Sequence, residues 1–418
     1  MATADSAVAS RTRAQVALVY AGGLLQGMAL VSFPASSAVL TRTQGLTEAQ
    51  YGSIFLPQVA FAVIGSIASG CLARKQDLKA LLMLALVSNA LSQSLLAASG
   101  AAGTGLAYVL VMTATAAAGL AVGLNSAPIN SLPPTFFPHR RDAAVVAMHA
   151  VTGIGLAVGP LAMAPFVSAD RWIDFPLLLS GLNVLAAIAI LAVRFPGSVE
   201  AGSRRTRPPK SLPLSAPHFW LFAAIVFLYA LAEGTFSNWA VIYLHEALDV
   251  AENTSGLAIT MFWGALVAGR LAAFGLVARV STRILWLALL ALMIAAFLML
   301  PLAEGASSAI GLFGFAGLAC SAFFPLTLAL VSRAFPHHVE WVSSMMIASL
   351  MIGMGLGSFA FGPLLKLLPF DAIYRASAVY PALAVPLALI VARCGLCRRG
   401  AHHSAPQSTL PGRARDQR

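Results

Sequence analysis

Apolar residues fall in long blocks separated by short polar stretches along almost the whole chain. Each block is about twenty residues or more. A helix rising ~1.5 Å per residue then crosses the ~30 Å hydrocarbon core, and the blocks are too long for the strands of a barrel. The blocks are Ala14–Leu40, Thr47–Ala73, Leu78–Ala98, Gly105–Leu132, Ala143–Ser168 and Phe175–Val193, then Phe219–Leu244, Thr254–Ala278, Ile284–Ala303, Ala309–Ala334, Val342–Leu365 and Ile373–Cys394. Between the sixth and seventh lies a stretch with Arg204, Arg205, Arg207, Lys210 and several prolines, which reads as a solvated linker. The expected organisation is an N-terminal six-helix bundle over 1–193, a basic linker over 194–217, a C-terminal six-helix bundle over 218–394 and a basic, disordered tail over 395–418. The fold class is all-α membrane protein with about twelve transmembrane helices in two pseudo-symmetric bundles.

Composition agrees: 59% of residues are hydrophobic and 10% charged, against about 25% charged in soluble proteins. The +11 net charge sits in alternate loops rather than on a basic face with interleaved aromatics, which argues against nucleic acid as a partner and for the lipid bilayer. One set of loops holds Arg11, Arg13, Arg74, Lys75, Lys79, Arg140, Arg141, Arg279, Arg283 and Arg333; the other holds Arg42, Arg171, Lys366 and Arg375. Both termini are therefore expected on the cytoplasmic side of a cytoplasmic membrane, the first segment staying as an uncleaved anchor. The four cysteines form no framework. Cys394 and Cys397 make a lone C-x-x-C near His402 and His403, most simply reduced thiols.

The halves repeat each other. Phe137-Pro138-His139 follows the fourth segment and Phe335-Pro336-His337 the tenth, while Gly155 and Gly159 in the fifth match Gly353 and Gly357 in the eleventh. Gly70-Cys71-Leu72-Ala73-Arg74 and Gly275-Leu276-Val277-Ala278-Arg279 close the second and eighth. Parallel repeats of this kind suit a two-bundle transporter with a midplane site. On these features the chain resembles the major facilitator superfamily over residues 14 to 394. Gly70-x-Leu72-Ala73-Arg74-Lys75 is similar to the loop signature between helices two and three, with Arg74 where the family has aspartate and Asp77 at a later glycine position. Gly155-x-x-x-Gly159-Pro160 resembles the antiporter-associated motif, a spacing that also serves plain helix packing. Glu233 with Ser237-Asn238-Trp239, Phe262-Trp263-Gly264 through Gly269-Arg270, and Phe324-Pro325 resemble the fucose-permease-like branch. That resemblance implies a sugar-like solute and proton symport, although helices one and four lack the acids of proton-coupled members.

Glu233 is the acidic residue placed mid-segment, where a carboxylate costs several kcal/mol unless neutralised, paired or wetted. It is the leading proton-coupling or recognition group, with His149 a second proton candidate. Tyr229 and Ser237 share the helical face of Glu233; Asn238 and Trp239 join it only if the helix distorts near Gly234. Arg270 either pairs with Glu233, holds an anionic group or snorkels. Asn125, Asn130, Gln26 and Gln58 bond a solute or tie helices together, and Trp239 and Trp263 stack on a solute or pack in the core. The chain contains no P-loop, G-x-S-x-G or H-E-x-x-H, so no enzyme activity, cofactor or bound metal is expected. The expected function is secondary transport of a small polar organic solute, sugar-like first, with protons as a further partner. Efflux of an amphipathic drug or metabolite comes second, and a membrane-embedded sensor or enzyme third.

Overall fold

The structure is a computed structural model that describes residues 2–72, 78–193, 195, 215–277, 279–336 and 338–393. The linker's basic cluster, Arg74, Lys75 and Asp77 of the loop signature, the Cys394–Cys397 pair and the tail lie outside the described residues. The described residues are helical, with no strand. Among the described residues, twelve helical spans are long and apolar enough to cross a membrane. They are α1 (Arg13–Ala35), α2 (Glu48–Ser69), α3 (Leu78–Ser99), α4 (Thr104–Phe136), α5 (Ala144–Ser168), α6 (Asp174–Ala192), α7 (Pro217–Ala247), α8 (Glu252–Ala273), α9 (Thr282–Leu302), α10 (Ala306–Ala334), α11 (Val342–Leu364) and α12 (Phe370–Arg393). Large apolar side chains such as Ile67, Leu185, Ile284 and Leu302 point outward, as a lipid-facing surface requires.

Each bundle packs by the same scheme: α1 lies on α5 and α2 on α4 in the first, α7 on α11 and α8 on α10 in the second. The repeated glycines explain why. A Cβ on Gly155 would collide with the Leu24 carbonyl oxygen, and one on Gly357 with the carbonyl of Leu231. Gly119 sits against the Gln58 carbonyl and Gly317 against that of Phe262 in the same manner. Lipid tails give helices no hydrophobic reason to associate, so close backbone approach and the dispersion it permits carry the packing.

The bundles meet along α5 with α8 and along α2 with α11. Among the described residues three hydrogen-bonded links cross between them, all near the membrane face opposite the linker, here termed the far face. The Tyr51 hydroxyl donates to the Asn238 carbonyl at 2.7 Å. The Asn253 amide donates to the Ser168 hydroxyl at 3.1 Å. The Arg42 guanidinium meets the Glu252 carboxylate at 3.0 Å. Gly52 brings α2 against the Ser358 and Phe359 carbonyls, where a Cβ would lie at 3.1 Å from each.

Candidate functional site

A cavity of about 240 Å³ lies between the bundles at mid-length, beneath those links. That is small beside the ~300–1,000 Å³ of typical drug-sized sites, so it suits a compact solute. Most of its wall is apolar, including Leu30, Val31, Phe55, Phe324, Met351 and Met354. The polar side chains in the wall are Gln58, Glu233, Ser237, Asn238 and Arg270, with Trp263 among the aromatics.

Glu233 sits midway along α7 and is 4% exposed. Tyr229 lies one turn before it on the same face of α7, and Arg270 lines the same cavity. It makes no ion pair with Arg270: the two ion pairs among the described residues are Arg42–Glu252 and Arg171–Asp174. The pairing expected as one option is therefore corrected to two separate charges in one chamber.

Helix α10 accounts for the separation. Its helix stops at Cys320 and resumes at Phe323. Pro325 has no N–H to give the Ser321 carbonyl one turn back, so that oxygen is available to another donor. Arg270 Nε donates to it at 3.0 Å. The Tyr229 hydroxyl donates to the neighbouring Cys320 carbonyl at 3.0 Å. Side chains from α7 and α8 thus take both carbonyls at the break. The guanidinium is anchored through Nε, and its terminal nitrogens make no hydrogen bond among the described residues.

The remaining candidate residues divide between wall and interior. Asn238 reaches the wall while its Nδ2 donates to the Ser358 hydroxyl at 2.6 Å. It does so without a break at Gly234: the α-helix is regular over Pro217–Ile242, and a π-turn follows at Tyr243–Ala247. Gly234 serves close approach instead, since a Cβ there would collide with the Met354 carbonyl. Trp239 is not in the wall. It is fully buried, its Nε1 donates to the Ser358 carbonyl at 2.9 Å, and its ring stacks on Phe361 at 4.8 Å and meets Tyr51 edge-on at 5.2 Å. With its ring in contact with Phe361 and Tyr51 and its N–H engaged, it packs α7 to α11 and α2.

Gln26 and Asn125 also lie outside the wall. Asn125 Nδ2 donates to Gln26 Oε1 at 3.4 Å and Gln26 Nε2 to Asn89 Oδ1 at 3.5 Å, which ties α4, α1 and α3 together. Asn130 donates to the Ser126 carbonyl, and its Oδ1 lies 3.3 Å from His149 Nε2, a link between α4 and α5 rather than part of the chamber. Ser321, Ser358 and Tyr51 escaped the sequence reading. Only the first left a signal, the proline four residues after it.

The family model described as Major Facilitator Superfamily matches residues 18–310. Comparison with curated proteins finds no match. Among solved structures, one similar fold is a bacterial homolog of the human lysosomal transporter Spinster, inward-facing and unoccupied. It has 15% identity and a TM-score of 0.69, covering 92% of this chain and 97% of that one. The nucleoside transporter NupG has 14% identity and a TM-score of 0.68, over 91% of this chain and 98% of that one. Identities this low convey the fold alone.

Proposed function

The chain belongs to the Major Facilitator Superfamily, and from that premise we propose that it carries a small amphipathic organic solute by alternating access of its two bundles around the central cavity. The observation behind this reading is the wall itself: an apolar, partly aromatic chamber with charge concentrated at Glu233 and Arg270. An amphipathic solute places its apolar body against Trp263, Phe324 and the methionines and its polar end at the charged groups. The sugar class suggested by the branch resemblance needs hydrogen-bond partners around a whole ring. Of the five polar side chains here, Asn238 already donates to Ser358 and Arg270 to Ser321. The amphipathic class is therefore the better match.

Glu233 is the wall residue able to exchange a proton, so coupling to a proton gradient is assigned to it; His149 stands outside the wall. The loop charges of the sequence support a cytoplasmic side for the termini and linker. Counterflow in proteoliposomes tests this reading, with a panel of hexoses, nucleosides and small amphipathic acids and amines at two pH values. Exchange of amphipathic solutes is expected. Exchange of hexoses alone would restore the sugar reading.

A further inference from the structure

We infer that the solute is zwitterionic: a cationic amine seated at Glu233, a carboxylate at the terminal nitrogens of Arg270, and an apolar side group against Trp263, Phe324, Met351 and Met354. This deepens the amphipathic-solute reading above and rests on it.

Three observations converge. Glu233 and Arg270 line one chamber, yet no nitrogen of Arg270 comes within 4.0 Å of a Glu233 oxygen. Opposite charges sharing an apolar space attract strongly and pair directly if nothing holds them apart. Arg270 is held apart. Its Nε is fixed on the Ser321 carbonyl, so the guanidinium is pinned by one edge with its other nitrogens available. A guanidinium edge of that kind matches the two oxygens of a carboxylate.

The second observation is Ser237. It lies one turn from Glu233 in the same wall and is 1% exposed, and its hydroxyl oxygen has no hydrogen-bond partner. Buried hydroxyls are nearly always paired, so an orphan on a residue of the cavity wall marks a place where a rotation of the side chain meets a ligand group. An ammonium has three donors: two suit the Glu233 carboxylate and one the Ser237 oxygen.

The third is charge balance. With Glu233 ionised, a solute with a single charge would leave Glu233 or Arg270 without a counter-charge in a low-dielectric chamber, whereas a zwitterion satisfies both. The cavity's size leaves room for a side group of moderate bulk beside the two charges.

Four probes with one phenyl body and different charges test this on the purified full-length protein: L-phenylalanine, phenethylamine, 3-phenylpropanoate and 3-phenylpropanol. Binding is read by calorimetry, and exchange by counterflow in proteoliposomes. Phenylalanine should bind about tenfold or more tightly than either singly charged probe, the range expected for one charge-assisted contact. Glu233→Gln should abolish its advantage over 3-phenylpropanoate while keeping that over phenethylamine. Arg270→Gln should do the reverse, and Arg270→Lys should restore part of the carboxylate preference. Melting curves establish that each variant is folded, and the wild-type comparison decides the matter even if a variant is not. Equal or tighter binding of a singly charged or neutral probe overturns the zwitterion assignment and leaves the amphipathic reading standing. Failure of all four to bind or exchange overturns both.

Discussion

Replacing Tyr51 with phenylalanine isolates one bond that an opening of the far face would break. Tyr51 is fully buried, and its hydroxyl donates at 2.7 Å to the backbone of Asn238 in the opposite bundle. The ring contacts with Trp239 at 5.2 Å and Phe55 at 5.4 Å do not involve the hydroxyl, so phenylalanine preserves them. The loss is then one hydrogen bond, about 1 kcal/mol net. Because the bond spans the bundles, that energy enters the equilibrium between far-closed and far-open states rather than the folding of either bundle. A change of that size moves the equilibrium about fivefold toward the far-open state. The assay is pulsed electron-electron resonance between spin labels at Thr43 and Leu367, exposed far-face positions in opposite bundles, with the four native cysteines replaced. Tyr51→Phe should enlarge the longer-distance population about fivefold with little change in melting temperature. An unchanged distance distribution in a well-folded variant refutes the assignment of this bond to the gate.

Three further outcomes follow from the same geometry. Arg42→Gln should move that distribution less than Tyr51→Phe, and by an amount that shrinks with added salt. Its side chain is 59% exposed, and such ion pairs contribute about 0–1 kcal/mol. The two tryptophans should separate cleanly. Trp239→Phe should lower stability by about 2 kcal/mol through the lost Ser358 bond and the space left behind, while Trp263→Leu should barely change melting but weaken binding of aromatic solutes, both measurable on the purified protein. Finally, Gly119→Leu should abolish well-folded protein, as judged by size-exclusion profile, because its side chain would enter the Gln58 backbone. Gly181→Leu should be tolerated, since nothing lies within 4 Å of that position.

The twelve spans and their two-fold grouping were legible in the sequence because a bilayer imposes one length on every segment, and close-packed helices demand glycines at matching places. Glu233 was legible because an isolated acid has no camouflage in an apolar run. The allocation of amides and tryptophans was not. Gln58 and Gln26 look alike in sequence, yet Gln58 faces the chamber while Gln26 bonds Asn89 and Asn125. Trp239 and Trp263 differ only through what lies across from them, and for Trp239 that is a carbonyl 119 residues away. Gly234 suggested a distorted backbone, but it is small because the Met354 carbonyl packs there. A lone glycine does not say which of its two uses applies.

The interruption of α10 has a mechanical side. The carbonyl that holds Arg270 belongs to the two-residue joint between the rod Ala306–Cys320 and the rod Phe323–Ala334. A ligand that draws the guanidinium toward itself therefore tugs on a joint, and the linker-side rod is the lever arm. On the zwitterion proposal, solute charge and helix bending would become one linkage, with Arg270 as its pin. A neutral solute can fill the chamber without loading that lever.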